Sequence, residues 1–157
     1  MGIEIERKFL VTSDVWRRGT PTLFVQGYLN ADKHRTVRVR IAGLDAMITI
    51  KGITAGISRS EYEYSIPLED AQEMLKLCEG PIIEKHRWLY PVGDLIWEID
   101  EFFGLNTGLV VAEIELDHED QSIDLPDWIG QEVTDDARYY NSSLSRVPFT
   151  TWETQSE

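Results

Sequence analysis

Residues 3–11 read Ile3-Glu-Ile-Glu-Arg-Lys-Phe-Leu-Val11. In an extended chain successive side chains point to opposite sides, so Glu4, Glu6 and Lys8 share one face and Ile3, Ile5, Phe9 and Val11 the other. The alternation returns with segregated charge: Arg38 and Arg40, then Lys51, Glu61 and Glu63, Lys85 and Arg87, Glu98 and Asp100, Glu113 and Glu115. Many strands therefore share one charged face.

Working outward, strand-like runs cover 3–11, 23–29, 36–42, 46–51, 60–66, 82–90, 95–103 and 109–117, about eight strands whose spacing favours antiparallel neighbours. Ile41-Ala-Gly-Leu-Asp-Ala46 and Tyr90-Pro-Val-Gly-Asp94 read as tight hairpins, because Gly and Pro set the turn dihedrals. Ala71, Met74, Leu75 and Cys78 recur at helical spacing over 68–79, with acids in the first turn and Gly80-Pro81 as a stop. This predicts an amphipathic helix covering an outer face of the sheet. Asp14 is expected to cap a short helix through Trp16 to Arg18, and 126–133 and 135–146 read as short helices.

A chain of 157 residues is the size of one domain, spanning 1–157, with enough apolar surface for a single core. The formal charge of −13 argues against a nucleic-acid polymer or an anionic membrane as partner, since both need a basic patch. A local anion site remains compatible with it. The single Cys78 is expected in the core, and no Cys pair or Cys-His spacing points to a disulfide or zinc. With no apolar run near the roughly 20 residues of a membrane span and no signal-like start, a cytoplasmic protein is expected.

A half-solvated sheet, apolar inside and charged outside, is the plain alternative for this pattern. Decoration for solubility would mix signs within a strand, however. Here like charges sit two residues apart, as in Arg38 and Arg40, Lys85 and Arg87, or Glu113 and Glu115. The opposite faces are rich in β-branched and aromatic residues, and helices are available to cover them. A mainly β fold follows: an α+β chain whose antiparallel barrel or tunnel has a charged interior and peripheral helices. Buried charges must be paired or coordinated. A cavity with cationic and carboxylate walls suits a polyanion with a hard, oxygen-bound cation, Mg²⁺ or Mn²⁺ rather than zinc.

At these residues the chain resembles the CYTH superfamily, the triphosphate tunnel metalloenzymes. The signature is E-x-E-x-K, here Glu4-Ile5-Glu6-Arg7-Lys8, followed by the ordered blocks Arg38-Val39-Arg40, Ile48-Thr49-Ile50-Lys51, Glu61-Tyr62-Glu63, Glu84-Lys85-His86-Arg87, Trp97-Glu98-Ile99-Asp100 and Glu113-Ile114-Glu115. The tail Arg138-Tyr-Tyr-Asn141 adds likeness to the short bacterial single-domain members. The resemblance implies an eight-stranded tunnel binding triphosphate with divalent metal. It implies phosphate contacts from Lys8, Arg38, Arg40, Lys51, Lys85 and Arg87, metal binding by Glu4, Glu6, Glu113 and Glu115, and an acidic wall completed by Glu61, Glu63, Glu98 and Asp100. Arg59 shares the parity of Glu61 but could equally form a solvent salt bridge. Tyr28 could line the mouth or fill the core, and His86, Trp88 and Trp97 should face outward.

The activity expected is a metal-dependent triphosphatase cleaving inorganic tripolyphosphate to pyrophosphate and phosphate. Either a second metal or Lys85, its pKa lowered by neighbouring cations, could activate water. Thiamine triphosphatase and adenylyl cyclase of the class IV type are enzymatic alternatives. A nucleotide- or polyphosphate-binding module is the non-enzymatic one. Oligomeric state, physiological substrate and preferred metal stay open.

Overall fold

Alternating polarity over eight runs produces strands β1 (Ile3–Val11), β2 (Thr22–Asn30), β3 (Arg35–Ala42), β4 (Asp45–Gly52), β5 (Ser58–Ser65), β6 (Glu79–Val92), β7 (Leu95–Phe102) and β8 (Val110–Glu115), joined by a short ninth strand, β9 (Ile129–Glu132). The computed structural model describes residues 2–152. The strands are hydrogen-bonded in the order β5-β4-β3-β2-β6-β7-β8-β1-β9, and β1 also pairs with β5. That pairing closes the first eight into an antiparallel barrel, leaving β9 attached along β1. The seam is short: Ile3 opposes Ser60, Glu4 opposes Arg59 and Ile5 opposes Ser58.

Both expected hairpins form. Ala42 faces Asp45 and Val92 faces Leu95, so each loop has two residues. Gly43 (φ 62°) and Gly93 (φ 60°) take the first loop position, a left-handed conformation that costs glycine little.

Several expectations fail locally. The helix α1 runs only Leu68–Leu75, with Lys76 as its cap, and Gly80-Pro81 lies inside β6 instead of after a helix. The reason is a close approach: a Cβ on Gly80 would stand 2.4 Å from the Ser145 carbonyl oxygen, so glycine lets the strand pass the C-terminal segment. Asp14 caps no helix; its carbonyl accepts from Arg17 N in a turn (3.0 Å). The stretch 126–133 contributes β9, not a helix, because β5 pairs only with Ile3–Ile5 and leaves the rest of that edge of β1 in need of a partner. Phe9 and Val11 pair with Glu132 and Ile129 across an irregular register. Residues 135–146 do turn helical, as a 3₁₀ turn at Ala137–Tyr139 and the short α2 (Asn141–Leu144).

The apolar face of the barrel points outward and is covered piecemeal. Phe9, Trp16, Trp97, Ile99, Ile114 and Trp128 form one buried cluster, with Trp97 edge-on to both Phe9 and Trp128. On the outside α1 also seats Ala71 against Val39 and Ala46. At one end of the barrel the inward face itself turns apolar: Ile83, Phe102 and Val111, opposite Gln26, Lys85 and Asp100, pack under Leu144 of the C-terminal segment. Trp97 and Trp88 thus face outward as expected, beneath cover rather than in solvent. Cys78 is half-buried, its thiol directed at the Met74 carbonyl. Burial and Glu79 hold it above the ordinary thiol range, which leaves it little thiolate character. No helix among the described residues is long and apolar enough to cross a membrane.

Candidate active site

Closing the barrel turns the charged faces inward around a cavity of about 340 Å³. Its lining includes Glu4, Glu6, Lys8, Arg38, Arg40, Lys51, Glu61, Glu63, Lys85, Arg87, Glu98, Glu113 and Glu115. Register explains the assembly. Lys8 lies opposite Glu113 and Glu6 opposite Glu115, Lys51 opposite Glu61, Glu98 opposite Glu113, and Arg87 opposite Asp100. Three of these pairs, Lys8 with Glu113, Lys51 with Glu61 and Arg87 with Asp100, set opposite signs face to face, whereas Glu6 with Glu115 and Glu98 with Glu113 set carboxylates against each other.

Asp100 departs from the expected acidic wall. It lies beneath the cavity, fully buried. Its Oδ2 accepts from Lys85 Nζ (2.7 Å) and from Arg87 Nη2 (2.9 Å), and its Oδ1 accepts from Arg87 Nε (2.8 Å). Burial alone would raise its pKa. Arg87 and Lys85 outweigh that and hold it well below the carboxylate range, so it is a permanent anion that anchors two cations.

The cations divide into two kinds. Lys8 and Lys51 are locked among carboxylates: Lys8 donates to Glu6 and lies 3.4 Å from Glu113. Lys51 donates to Glu4 at 2.8 Å and lies 3.7 Å from Glu61. Despite its burial, Lys8 is held above the ordinary lysine value by Glu113 and Glu6. Arg38 and Arg40, by contrast, lean on neutral groups. Arg40 Nε donates to Gln26 Oε1 at 2.9 Å and Arg38 Nη2 to Thr49 Oγ1 at 3.1 Å, with Glu63 a distant 3.5 Å. Arg38 Nε is buried without a hydrogen-bond partner among the described residues. Burial, then Arg38 and Arg87, pull Arg40 down to about 9, and it stays charged at neutrality.

Lys85 is a special case. Its Nζ donates to Asp100 and also to Asn141 Oδ1 (3.1 Å). Burial is the chief influence on it. Asp100 resists, Arg87 and Arg40 add repulsion, and the amine falls to about 7. The lowering expected from cation crowding is present, but desolvation contributes more.

On the opposite wall the surplus is negative. Burial, then Glu98, Glu61, Glu6 and Glu4, raise Glu115 above the ordinary carboxylate value. Burial raises Glu98 against the opposing pull of Arg87, with Glu113 adding to the rise, and burial with Glu4 raises Glu61. Oxygen donors crowded this way suit a hard divalent cation in kind, with neither thiolate nor imidazole among them. Among the described residues no three such side chains yet converge into a metal cage, since Lys8 and Lys51 occupy oxygens of Glu6 and Glu4.

Some residues around the cavity have no role in the sequence reading, and others stay open there. Asn141 Oδ1 accepts from Gln26 Nε2 (3.0 Å) as well as from Lys85, joining Asp100, Lys85, Asn141, Gln26 and Arg40 in one hydrogen-bonded chain. The tail motif ending at Asn141 was the available signal. Tyr28 is buried against Ile83 and Phe102 yet borders the cavity, so both readings of it hold. Arg59 lies on the cavity wall, its Nε donating to the Gly52 carbonyl at 3.1 Å, not in a solvent salt bridge. Phe24, on the inward parity of β2, carries the guanidinium groups of Arg40 and Arg87 over its ring at 4.6 and 4.7 Å, a stacking that favours cations.

Residues 2–148 match the CYTH domain model. The chain belongs to the CYTH domain family. It is 49% identical over 151 residues to an inorganic triphosphatase of Acetivibrio thermocellus, covering 95% of this chain and 97% of that one. A Nitrosomonas europaea inorganic triphosphatase is 36% identical over 148 residues, covering 90% and 96%. The crystal structure of the inorganic triphosphatase NE1496 superposes with a TM-score of 0.65 at 34% identity, covering 90% of this chain and 93% of that one. Membership brings with it the family's requirement for a divalent metal.

Proposed function

We propose that this CYTH chain hydrolyses inorganic tripolyphosphate to pyrophosphate and phosphate, with Mg²⁺ or Mn²⁺ as its metal and the cytoplasm as its place of work. The observation that carries this reading is the double surplus inside one tunnel. Arg38 and Arg40, held mainly by neutral side chains, present more positive charge than their partners neutralise, while Glu61, Glu98 and Glu115 are raised by burial and mutual repulsion. A polyphosphate chain answers the first and a divalent cation the second. No single small ion answers both.

In this reading Lys8, Arg38, Arg40, Lys51, Lys85 and Arg87 contact nonbridging phosphate oxygens, which forked guanidinium groups match in geometry. The unpartnered Arg38 Nε would gain an acceptor. Glu4, Glu6, Glu113 and Glu115 would hold the metal, with Glu61, Glu63 and Glu98 supporting. The divalent ion, when bound, neutralises phosphate charge and orients the chain. Lys8 and Lys51 then turn from the carboxylates toward phosphate. Arg40 and Arg87 stabilise charge spreading over the transferred phosphoryl oxygens, the main task in phosphoryl transfer. Lys85, with an amine near 7, acts as the base that takes a proton from water, while Asp100 and Asn141 fix its Nζ.

The purely inorganic substrate is favoured over thiamine triphosphate or ATP because the cavity lining is almost wholly polar, with Ile57 and Tyr28 its large apolar contributors. Neither lining aromatic offers an open face for a base: Tyr28 is packed against Ile83 and Phe102 at the apolar end of the barrel, and the Tyr140 ring lies 5.9 Å from Lys8 Nζ. Thermal melts with Mg²⁺ test the reading. At about 100 times its Kd, tripolyphosphate should stabilise the fold by roughly 2.7 kcal/mol, raising Tm by about 5–10 °C. Orthophosphate should barely move it. Equal shifts for the two would remove the extended polyanion site, and phosphate release from ATP at the tripolyphosphate rate would remove the inorganic preference.

A further inference from the structure

A second cavity of about 500 Å³ adjoins the tunnel, and Thr54, Arg59, Tyr140 and Ser142 line both. Its remaining wall includes Lys33, His34 and Arg146. Most lysines and arginines of this chain are committed to carboxylates. Among the described residues, those without a carboxylate at ion-pair distance are Arg18, Lys33, Arg35, Arg40, Arg59 and Arg146. Arg18 stacks on Tyr90 and Arg40 is held by Gln26. Of the four left, three line this one cavity. The single carboxylate in its wall, Asp32, is turned onto the backbone N and ring Nδ1 of His34 at 2.8 and 3.0 Å.

We propose that this second cavity is a cationic vestibule that captures a short linear polyphosphate and passes it to the tunnel by way of Arg59. The proposal rests on the reading of the tunnel as a tripolyphosphate site. Its physical need comes from the charge of the whole chain, −13, which repels a polyanion at a distance. Screening confines that repulsion to about 10 Å at 0.1 M salt, so a local cluster of uncommitted cations beside the mouth reverses the field where the substrate arrives. Paired cations could not do this, because their fields are cancelled by their partners. Arg59 stands on both walls with its Nε tied to the Gly52 carbonyl, which leaves its terminal nitrogens to hand the anion inward. The vestibule also fixes the direction of entry: substrate arrives on the side of the β2–β3 connection that carries Lys33 and His34.

The test compares two charge reversals of equal size. K33E/R146E alters exposed residues of the vestibule. R18E/K76E alters Arg18, stacked on Tyr90 by the opposite end of β2, and Lys76 on the cap of α1. At low ionic strength K33E/R146E should lower kcat/KM for tripolyphosphate at least fivefold with kcat unchanged, and should flatten the fall of kcat/KM with added salt. R18E/K76E should change it less than twofold. Equal effects of the two doubles would mean a diffuse field and overturn the vestibule, as would unchanged kcat/KM in K33E/R146E. K33Q/R146Q, expected to give about half the logarithmic effect, guards against a folding defect in the reversed variant. If wild type failed to turn over tripolyphosphate, the functional reading would fall. The vestibule would then be judged by the stopped-flow association rate of tripolyphosphate with each double, slowed only in K33E/R146E if it is real.

Discussion

The two walls of the tunnel handle buried charge in opposite ways. On the wall built by β2 and β3, Arg38 and Arg40 are positioned by neutral side chains, Thr49 and Gln26, so their charge remains unspent. On the wall built by β1, β5 and β8, Glu4, Glu6 and Glu113 are each met by a lysine. A hydrogen bond from an amide or hydroxyl fixes a guanidinium without cancelling it. A salt bridge both fixes and cancels, and must be exchanged before the carboxylate can serve another cation. The first wall is therefore preorganised for its ligand, and the second is held by internal stand-ins until the ligand arrives.

Lys85, which joins the two walls, gives the sharpest way to break this comparison. Its free-base fraction rises as pH climbs through about 7, because the proton is lost above the folded pKa. Turnover should rise with pH across that window. Lys85→Arg keeps the positive charge but supplies no accessible neutral base, so it should retain tripolyphosphate binding while losing about 10²–10⁴ of kcat, the usual contribution of general catalysis, together with the alkaline rise. A variant with near wild-type turnover and the same pH profile would leave Lys85 a phosphate contact only.

Next in size comes the carboxylate wall. Glu6→Gln keeps the shape but discards the charge. Turnover at limiting Mg²⁺ should fall more than about a hundredfold, beyond what outer partners of a metal cost, with circular dichroism unchanged. Recovery at high Mg²⁺ would sharpen the assignment, whereas full activity at limiting metal would remove it.

Arg40→Ala should act on the other wall by weakening substrate binding about 10- to 150-fold, the equivalent of one charged hydrogen bond, without changing metal affinity. Equal losses of metal and substrate affinity would mean the walls are one coupled system. The smallest effect belongs to Asn141→Ala. Removing the shared acceptor of Lys85 and Gln26 should cost kcat about 3- to 10-fold, one neutral hydrogen bond, with KM nearly unchanged. A large KM effect instead would mark Asn141 as a direct substrate contact.

Much of this was legible from alternation. The period of two carried the inward charges and outward aromatics, and the ordered pairs of like charges forced a closed interior rather than a wet face. Gly43 and Gly93 marked hairpins whose chemistry is local. What stayed hidden depends on distant chain. Nothing within 126–133 says strand, since β9 forms because β1 runs past β5 and offers Phe9 and Val11 a free edge. The Gly80-Pro81 pair looked like a helix stop, and only the Ser145 carbonyl across the chain reveals why glycine stands within β6. Asp100 had the parity of a wall residue, but Lys85 and Arg87 pull it under the surface. Asn141 could not be placed in the tunnel from spacing, because its segment crosses the barrel instead of joining it.

The strand that begins the fold is also the one whose neighbours come last. β1 meets β5, β8 and β9, and Glu6 finds Glu115 while Phe9 finds Glu132. On a ribosome adding about 5–20 residues per second, β1 waits on the order of ten seconds for its partners to emerge. Until then Ile3, Ile5, Phe9 and Val11 form an unsatisfied apolar edge of the kind that invites aggregation. Non-local closure of this sort also slows refolding of the finished chain. With Glu4 and Glu6 as the proposed metal ligands, their site is assembled only once β8 has closed on β1, late in the synthesis of the chain.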